Sequence, residues 1–299
     1  MIFLNLFYMV VMMATSMGSV GGNMTLLLVV ALNKTLQTET WAFTLSFCLC
    51  DLALGLTTMP FTVHNILNQV QEYGTSSVLC QANGFLFVLL QLASVHSQTW
   101  TIIDKFTEIC FALQYPRIFN KKRTWAVLVS LWLYCLVSAA LPLLGFGSYR
   151  YSRTRFICVP SFQSSSRGFN LLFIVLGIIA PILIMCSLYA YLVHIARNQV
   201  LRGTFVCNEQ HCYYVPAKNY FKTSMVMVAT IACLLVCWLP YITTCFYETY
   251  TGQNSPAVTN AVATWLVFFT SALNPWIISM TQKYDKHIQN INKMKYDNI

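Results

Sequence analysis

Long apolar runs separated by short polar segments make up most of the chain. Seven of these runs are about 20 residues or longer, which is enough to cross a hydrocarbon core of roughly 30 Å as a helix. They predict spans over 2–32, 40–67, 77–104, 123–146, 168–197, 218–247 and 257–281. Because every backbone polar group in lipid must bond within the chain, runs this uniformly apolar are expected to be helical. The pattern therefore indicates an all-α membrane protein, a bundle of seven transmembrane helices.

A short amphipathic segment follows the last apolar run. Basic residues between Thr281 and Lys293 alternate with Tyr284, Ile288 and Ile291 at near-helical spacing. This spacing is typical of a helix that lies on the inner leaflet, where basic side chains meet anionic lipid. We therefore expect a seven-span domain over 1–281 and a short cytoplasmic amphipathic helix and tail over 282–299. A disordered tail is the alternative.

Charge is scarce and unevenly distributed. Only 9% of the residues are charged, against roughly 25% in an average soluble domain. Fourteen of the eighteen Lys and Arg residues fall in the odd-numbered loops, at the adjoining ends of the spans or after the last span, and basic loops are retained in the cytoplasm. This predicts an extracellular N-terminus and a cytoplasmic C-terminus. The net charge of +9 then reflects topology, and nothing outside the spans is large enough for a nucleic-acid-binding domain.

Polar groups within the spans are costly, so each raises a functional question. Asp51 is the acid at mid-membrane depth, and Asn23 and Asn274 are its candidate partners on other spans. The spans lack the internal repeat and the chain of buried acids and bases that transporters often use. The loops and outer halves contain no nucleophile–base pair or complete metal set. Neither a transporter nor an enzyme is therefore expected.

Special residues occur in a fixed order, one set in each span. They are Gly22 with Asn23, Asp51, Cys80, Trp132 with Pro142, Pro181 with Tyr189, Cys237-Trp238-Leu239-Pro240, and Asn274-Pro275. In this order they resemble the markers of the rhodopsin-like (class A) G protein-coupled receptors, and the resemblance covers all seven spans. It implies an orphan-like receptor at the plasma membrane that passes an extracellular signal to a heterotrimeric G protein, with arrestin as a further partner. Pro240 would supply the hinge of the sixth helix, and Trp238 would sense pocket occupancy.

The signalling end departs from the family pattern. The residues implied for activation and coupling are Asp104, Lys105, Tyr189, Trp238, Pro240, Asn274 and Pro275. Lys105 stands where the family has Arg and lacks its multi-donor fork. Ile278 replaces the Tyr that meets Tyr189 through water, and Tyr220 replaces an acid that locks some members. Altered coupling is therefore expected, and a non-signalling binding, scaffold or decoy receptor of the same fold is the alternative.

The resemblance also implies a disulfide and an ion site. The disulfide joins Cys80 to Cys158 and tethers the second outer loop to the third span. A sodium ion is implied among Asp51, Ser94, Ser271 and Asn274, because hard oxygen ligands around one carboxylate suit a small cation. The alternative is that Asp51 is only hydrogen-bonded or protonated. No other cofactor is expected.

The resemblance places the ligand pocket among the outer halves of spans three, five, six and seven. Its lining would be Phe87, Gln91, Phe173, Trp238, Tyr241, Ile242, Thr264 and Phe268. Phe87 stands where amine-binding members have Asp, and Phe268 where opsins have the retinal-binding Lys, so neither ligand is expected. The mostly aromatic lining suits a largely apolar small molecule. A self-filled pocket with constitutive activity is equally open.

Three arginines of the second outer loop lie above this pocket. Arg150, Arg153 and Arg155 are close together in the sequence. They are candidates to recruit an acidic group on the ligand. The alternative is that they face solvent or lipid phosphates.

Overall fold

The computed structural model describes residues 2–33, 40–74, 77–111, 114–162, 167–202, 205–208, 211–214 and 217–296. At 109 and 196, and for the described residues within 199–227 and 278–296, the description is limited to the backbone. Seven helices within this part of the chain are long and apolar enough to cross a membrane. They are Phe3–Leu32, Trp41–Leu67, Val78–Glu108, Lys121–Phe146, Arg167–Ile195, Val228–Thr251 and Ala257–Ile277. The predicted seven-helix membrane bundle is confirmed.

The secondary structure is almost entirely helical. The α-helices are Ile2–Leu32, Trp41–Leu56, Thr58–Leu67, Val78–Cys110, Tyr115–Ile118, Lys121–Ala140, Arg167–Leu172, Ala180–Arg202, Ala217–Thr251 and Ala257–Tyr296. Two π-helical turns, Pro142–Phe146 and Phe173–Ile179, lie at the end of the fourth span and within the fifth. The second turn comes just before Pro181, whose missing N–H breaks the regular hydrogen-bond ladder.

The predicted eighth helix is not distinguished from the seventh span. One helix runs without a break from Ala257 to Tyr296, and the side chains beyond Ile277 lie outside the described residues. The division into 1–281 and 282–299 therefore stays a prediction.

Small residues let the first, second and seventh spans approach closely. A Cβ atom on Gly22 would lie 3.0 Å from Cγ of Pro275, and one on Gly55 would lie 2.9 Å from Cγ2 of Val20. Small residues at such crossings are typical of helix packing in lipid. These contacts bring Asn23, Asp51 and the seventh span together in the bundle interior.

Two short antiparallel hairpins depart from the all-α prediction. Strand Tyr149–Ser152 pairs with Ile157–Pro160, with Ser152 opposite Ile157, and strand Phe205–Asn208 pairs with His211–Tyr214. We call the first one the loop-2 hairpin, and the end of the bundle where it lies the outer end. Short polar loops give little period-two signal of their own, so the sequence analysis missed both hairpins.

The loop-2 hairpin is seated by Tyr149 between the third and fourth spans. The Tyr149 hydroxyl donates a 2.8 Å hydrogen bond to the carbonyl oxygen of Ala139. A Cβ atom on Gly84 would lie 2.5 Å from Cδ1 of Tyr149, so only glycine leaves room for the ring. The Cys80–Cys158 disulfide, with Cα atoms 5.5 Å apart, fastens the second strand to the third span. The predicted disulfide is confirmed.

Candidate functional site

Three buried carboxylates lie at different depths of the bundle. Among the residues whose side chains the structure describes, the buried acids are Asp104, Asp51 and Glu248. Asp104 lies at the inner end of the third span, Asp51 halfway along the second, and Glu248 near the outer end of the sixth. A buried carboxylate is tolerated only with a cation, a proton or hydrogen-bond donors. The donors around each one therefore indicate its role.

Asp51 lies at the centre of the implied sodium site. Ser94 Oγ donates to its Oδ1 at 2.6 Å, Ser271 Oγ donates to the same oxygen at 3.1 Å, and Asn274 Nδ2 donates to Oδ2 at 2.8 Å. The structure thus brings together all four residues of the predicted set. Carboxylate, hydroxyl and amide oxygens within one polar cluster are the donor types that hard cations accept. The chemistry of the site fits a small cation, and its occupancy by sodium stays a prediction.

A second layer of amides surrounds this cluster. Asn23 Nδ2 donates to the carbonyl oxygen of Ser271 at 3.0 Å, and Gln98 Nε2 donates to Asn274 Oδ1 at 3.1 Å. Gln98 was missed by the sequence analysis, because a glutamine on a polar helix turn gives no motif of its own. Gln98 thus helps to orient the Asn274 amide toward Asp51, and Asn23 links the first span to the backbone of the seventh at Ser271.

Asp104 is held at the inner end by neutral donors. Thr40 Oγ1 donates to its Oδ2 at 2.8 Å, and the Tyr115 hydroxyl donates to its Oδ1 at 2.6 Å. The neighbouring Lys105 Nζ lies 2.8 Å from Oε2 of Glu108 on the same helix, and both side chains are almost half exposed. A solvent-screened pair of this kind contributes at most about 1 kcal/mol.

The hinge residues of the sixth span lie beside the bundle core. Pro240 is inside the long helix Ala217–Thr251, and Trp238 is only 3% exposed. The Trp238 ring meets the Tyr241 ring edge-on, with centroids 6.4 Å apart. Tyr189 is half-buried against the same core. The side chains of Tyr220 and Ile278 lie outside the described residues, so the two predictions about them stay untested.

The predicted ligand pocket is closed in this structure. Phe87, Gln91, Phe173, Trp238 and Tyr241 surround a cavity of only about 10 Å³. Small-molecule sites usually measure about 300–1,000 Å³. The lining as it stands leaves room for about one water molecule.

The other three predicted lining residues lie outside this cavity. Phe268 packs edge-on against Phe87, with ring centroids 5.6 Å apart. Thr264 is buried, and Ile242 packs at the edge of the core. The assignment of all eight to ligand binding stays a prediction.

Arg155 enters the bundle from the turn of the loop-2 hairpin. Its Nη1 atom lies 2.9 Å from Oε2 of Glu248, and both side chains are 3% exposed. The other carboxylate oxygen of Glu248 accepts from Asn260 Nδ2 at 2.8 Å and from the backbone N–H of Ser255 at 3.1 Å. Burying two charges is costly unless further hydrogen bonds satisfy them; these donors supply that compensation for Glu248, whereas Nε of Arg155 is buried without a hydrogen-bond partner among the described residues.

Aromatic rings complete the surroundings of the Arg155 guanidinium. Its central carbon lies 5.9 Å from the Tyr241 ring centroid and 5.8 Å from that of Phe162, within the range of cation–π attraction. Burial alone would lower the pKa of Arg155, but Cys245, Tyr241 and Glu248 raise it above its ordinary value. The guanidinium is therefore a permanent positive charge directly above the closed pocket.

A family model described as 7 transmembrane receptor (rhodopsin family) matches residues 22–278. The chain belongs to the rhodopsin family of receptors. The relatives of this receptor include the histamine H2 receptor of Canis lupus familiaris, 27% identical over 263 residues that cover 86% of this chain and 71% of the relative. The adenosine receptor A3 of Ovis aries is 25% identical over 238 residues, 78% of this chain and 73% of the relative. G-protein coupled receptor 161 of Mus musculus is 23% identical over 289 residues, 88% of this chain and 52% of the relative.

Family membership fixes the broad function of this receptor. It is a multi-pass membrane protein that signals to heterotrimeric G proteins, and its relatives point to a receptor rather than an enzyme. The ligand of the relatives does not follow from the match. It has to be argued from the residues of this chain.

The receptor also has an open cleft of about 440 Å³ on its outer surface. Arg153 lines it, with Nη2 3.7 Å from Oε2 of Glu72, and both side chains are more than half exposed. Arg150 is exposed there as well. Arg155 and Glu248 also line this cleft. The three arginines do not act alike, because Arg150 and Arg153 face solvent whereas the Arg155 side chain is buried.

The partners of Arg155 in this receptor were not predicted from the sequence. Glu248 and Asn260 lie 93 and 105 positions after Arg155, on the sixth and seventh spans. The available signal was that Glu248 directly follows the predicted sixth span 218–247, and an unpaired carboxylate at membrane depth is costly. The identity of its partner depends on how the hairpin is seated.

Proposed function

We propose that this receptor activates a heterotrimeric G protein with intrinsic activity, without a small molecule in the buried pocket. The observation that carries the proposal is the closed lining of about 10 Å³ with Arg155 seated above it. A pocket without room for a ligand leaves the equilibrium between receptor conformations to the contacts of the chain itself. A largely apolar ligand would first require Phe87 and Trp238 to move apart.

An amine ligand is disfavoured, although histamine is named in several relatives. A protonated amine in a buried site needs a carboxylate partner. Phe87 is 2% exposed and packs against Phe268, so it offers no charge. Among the described residues, Glu248 is the buried acid of the outer half, and Arg155 already neutralises it.

Coupling is proposed at the inner end, around Asp104 and Lys105. The hydrogen bonds of Asp104 join the third span to Thr40 and Tyr115, so a change at the inner loop is passed to the third span. Lys105 keeps a positive charge at the surface. The alternative function is that of a scaffold or decoy receptor. It is favoured by Lys105, which lacks the multi-donor fork of arginine, and by Ile278.

The proposal also covers the orientation of the receptor in the membrane, its cellular location and its further partners. The Cys80–Cys158 bond supports an extracellular outer end, because disulfides persist in oxidising surroundings. The basic run Lys121, Lys122 and Arg123 begins the fourth span at the opposite end and suits anionic lipid of the plasma membrane. Arrestin at the inner cleft and sodium at Asp51 are further parts of the proposal.

Basal nucleotide exchange on a panel of purified G proteins tests the function. The native receptor in lipid is compared with Lys105→Arg, with the double variant Lys105→Arg plus Ile278→Tyr, and with Lys122→Arg as a control for an exposed basic residue. Exchange by the native receptor above receptor-free membranes supports the proposal. Exchange by the double variant alone would mean that the native residues disable coupling, and the scaffold reading would replace the proposal.

A further inference from the structure

The turn of the loop-2 hairpin is shaped to send one side chain inward. The backbone N–H groups of Arg155 and Phe156 both donate to the carbonyl oxygen of Ser152, at 3.2 and 2.8 Å. Phe156 has a positive φ of 56°, which is uncommon for a bulky residue and persists only when the surroundings hold it. The strained turn therefore indicates that the inward course of the loop is imposed by its contacts.

Those contacts come from the first and second spans. Asn65 Nδ2 donates to the carbonyl oxygen of Phe156 at 2.8 Å, and the Tyr73 hydroxyl donates to Asn65 Oδ1 at 2.7 Å. The Phe156 ring lies 5.7 Å from the Tyr8 ring. Phe156 is thus clamped from one side, and the adjacent Arg155 is directed to the other side, toward the sixth span.

The site that receives Arg155 has the chemistry of a receptor site for an organic cation. It combines a carboxylate, two aromatic faces and a polar rim. Glu248 supplies the charge, Tyr241 and Phe162 the rings, and Thr244 Oγ1 lies 3.4 Å from Nη2 of Arg155. Sites of this composition recognise guanidinium and ammonium groups. Here the cation is part of the chain and is held at a fixed position by the Cys158–Cys80 bond.

Glu248 lies far enough from the hinge at Pro240 for its ion pair to affect the angle of the sixth helix. Glu248 lies eight residues beyond Pro240, which is about 12 Å along a helix. Arg155 draws it toward the loop that is fixed to the third span, and Asn260 links it to the seventh. When the outer end of the sixth helix is drawn toward the bundle axis, the inner end of the same helix moves outward about the hinge at Pro240. That outward movement opens the inner cleft that receives a G protein.

We propose that Arg155 is a tethered cationic ligand of the receptor, whose ion pair with Glu248 sustains basal activity, and that the emptied site binds small organic guanidinium ions. This inference rests on the proposed basal signalling. It goes further by naming the occupant of the site formed by Glu248, Tyr241 and Phe162, its counter-ion and the ligand chemistry that this site accepts.

Chemical rescue tests the site directly. Arg155→Ala empties the site while the hairpin keeps its disulfide, and ethylguanidinium is the probe. We expect Arg155→Ala to lower basal exchange by about fivefold or more, the lower end of typical coupling between sites. Millimolar ethylguanidinium should restore the exchange, whereas the neutral ethylurea should not. Arg153→Ala, at an exposed arginine of the same loop, should exchange like the native receptor.

A second readout is independent of G protein. Ethylguanidinium should raise the thermal midpoint of purified Arg155→Ala, and it should not do so for Arg155→Ala plus Glu248→Gln. If the native receptor shows no basal exchange, the proposed function fails. The thermal measurement still decides whether the site binds guanidinium ions. Absence of stabilisation, or stabilisation that does not need Glu248, overturns the inference.

Arg155→Ala leaves the buried Glu248 carboxylate without its counter-ion. If that variant does not fold, a double variant with neutral side chains at both positions tests the inference. Arg155→Gln plus Glu248→Gln buries no charge, keeps the shape of the side chain at 248 and leaves a shorter polar side chain at 155. We expect this variant to reach the membrane and to exchange nucleotide at least about fivefold more slowly than the native receptor. Exchange at the native rate, or above it, overturns the inference, since the ion pair would then be a mere packing element or a restraint.

Discussion

The Tyr115 hydroxyl donates a 2.6 Å hydrogen bond to the Asp104 carboxylate, across the junction between the third span and the following loop. Asp104 is 2% exposed, so water cannot readily replace this donor. The contact makes the short helix Tyr115–Ile118 part of the inner end of the bundle. It also gives the inner loop a direct connection to the residue next to Lys105.

Tyr115→Phe should therefore destabilise the receptor. The change removes one donor to a buried carboxylate and leaves the ring in place, at a cost of about 1.5–3 kcal/mol for a hydrogen bond to a charged group. The thermal midpoint of the purified receptor measures it. Tyr191→Phe is the matched control, because Tyr191 is 53% exposed, and it should change stability by less than about 0.5 kcal/mol. Equal midpoints for the two variants would contradict the prediction.

Sodium should stabilise the native receptor through Asp51. When its concentration is about five times the dissociation constant, binding contributes about 1 kcal/mol. The measurement is the thermal midpoint in sodium chloride compared with choline chloride at equal ionic strength. Asp51→Asn and Ser94→Ala should abolish or weaken the difference, whereas Glu108→Gln, at an exposed acid, should retain it. A native receptor that is indifferent to the two salts would leave Asp51 as a hydrogen-bonded residue only.

Loss of the Cys80–Cys158 bond should free the loop-2 hairpin. The bond closes a loop with a sequence separation of 78, and cross-links of this length stabilise by about 4 kcal/mol in the chain-entropy model. Cys80→Ser, Cys158→Ser and the double variant should all show the same loss of thermal stability and of surface expression. Cys233→Ser, at an exposed free cysteine, is the control. A double variant much worse than either single one would argue against the pairing.

Gly84→Ala should unseat the loop-2 hairpin. The added methyl group would collide with the Tyr149 ring, and overpacking of this kind costs about 1–3 kcal/mol. Gly21→Ala is the matched control, since nothing lies within 4 Å of a Cβ atom there, and it should preserve stability. Thermal midpoints and basal exchange should fall together in Gly84→Ala, because the hairpin carries Arg155. If Gly84→Ala is destabilised but exchanges nucleotide at the native rate, the loop-2 hairpin does not contribute to signalling.

Properties that depend on local sequence were predictable. Apolar length sets membrane crossing, so the predicted fourth span 123–146 corresponds closely to Lys121–Phe146. The helix of the third span extends beyond the predicted end at 104 to Cys110, where the Lys105–Glu108 pair on one helix face keeps the last turns compatible with water. The family markers predicted that Asp51, Ser94, Ser271 and Asn274 lie in one cluster. This worked because equivalent helix positions have the same spatial neighbours in proteins that share a fold.

The closed pocket and the Arg155–Glu248 pair were decided only by the tertiary structure. The volume left among Phe87, Trp238 and Tyr241 depends on side-chain rotamers and helix distances that no local pattern encodes. The partner of Arg155 depends on the fit of Tyr149 over Gly84 and on the turn at Phe156. By itself the sequence determined which segments cross the membrane, since hydrophobicity acts residue by residue. Only folding determined which buried charges meet, because an ion pair forms between atoms whose distance is set by the packing of the whole bundle.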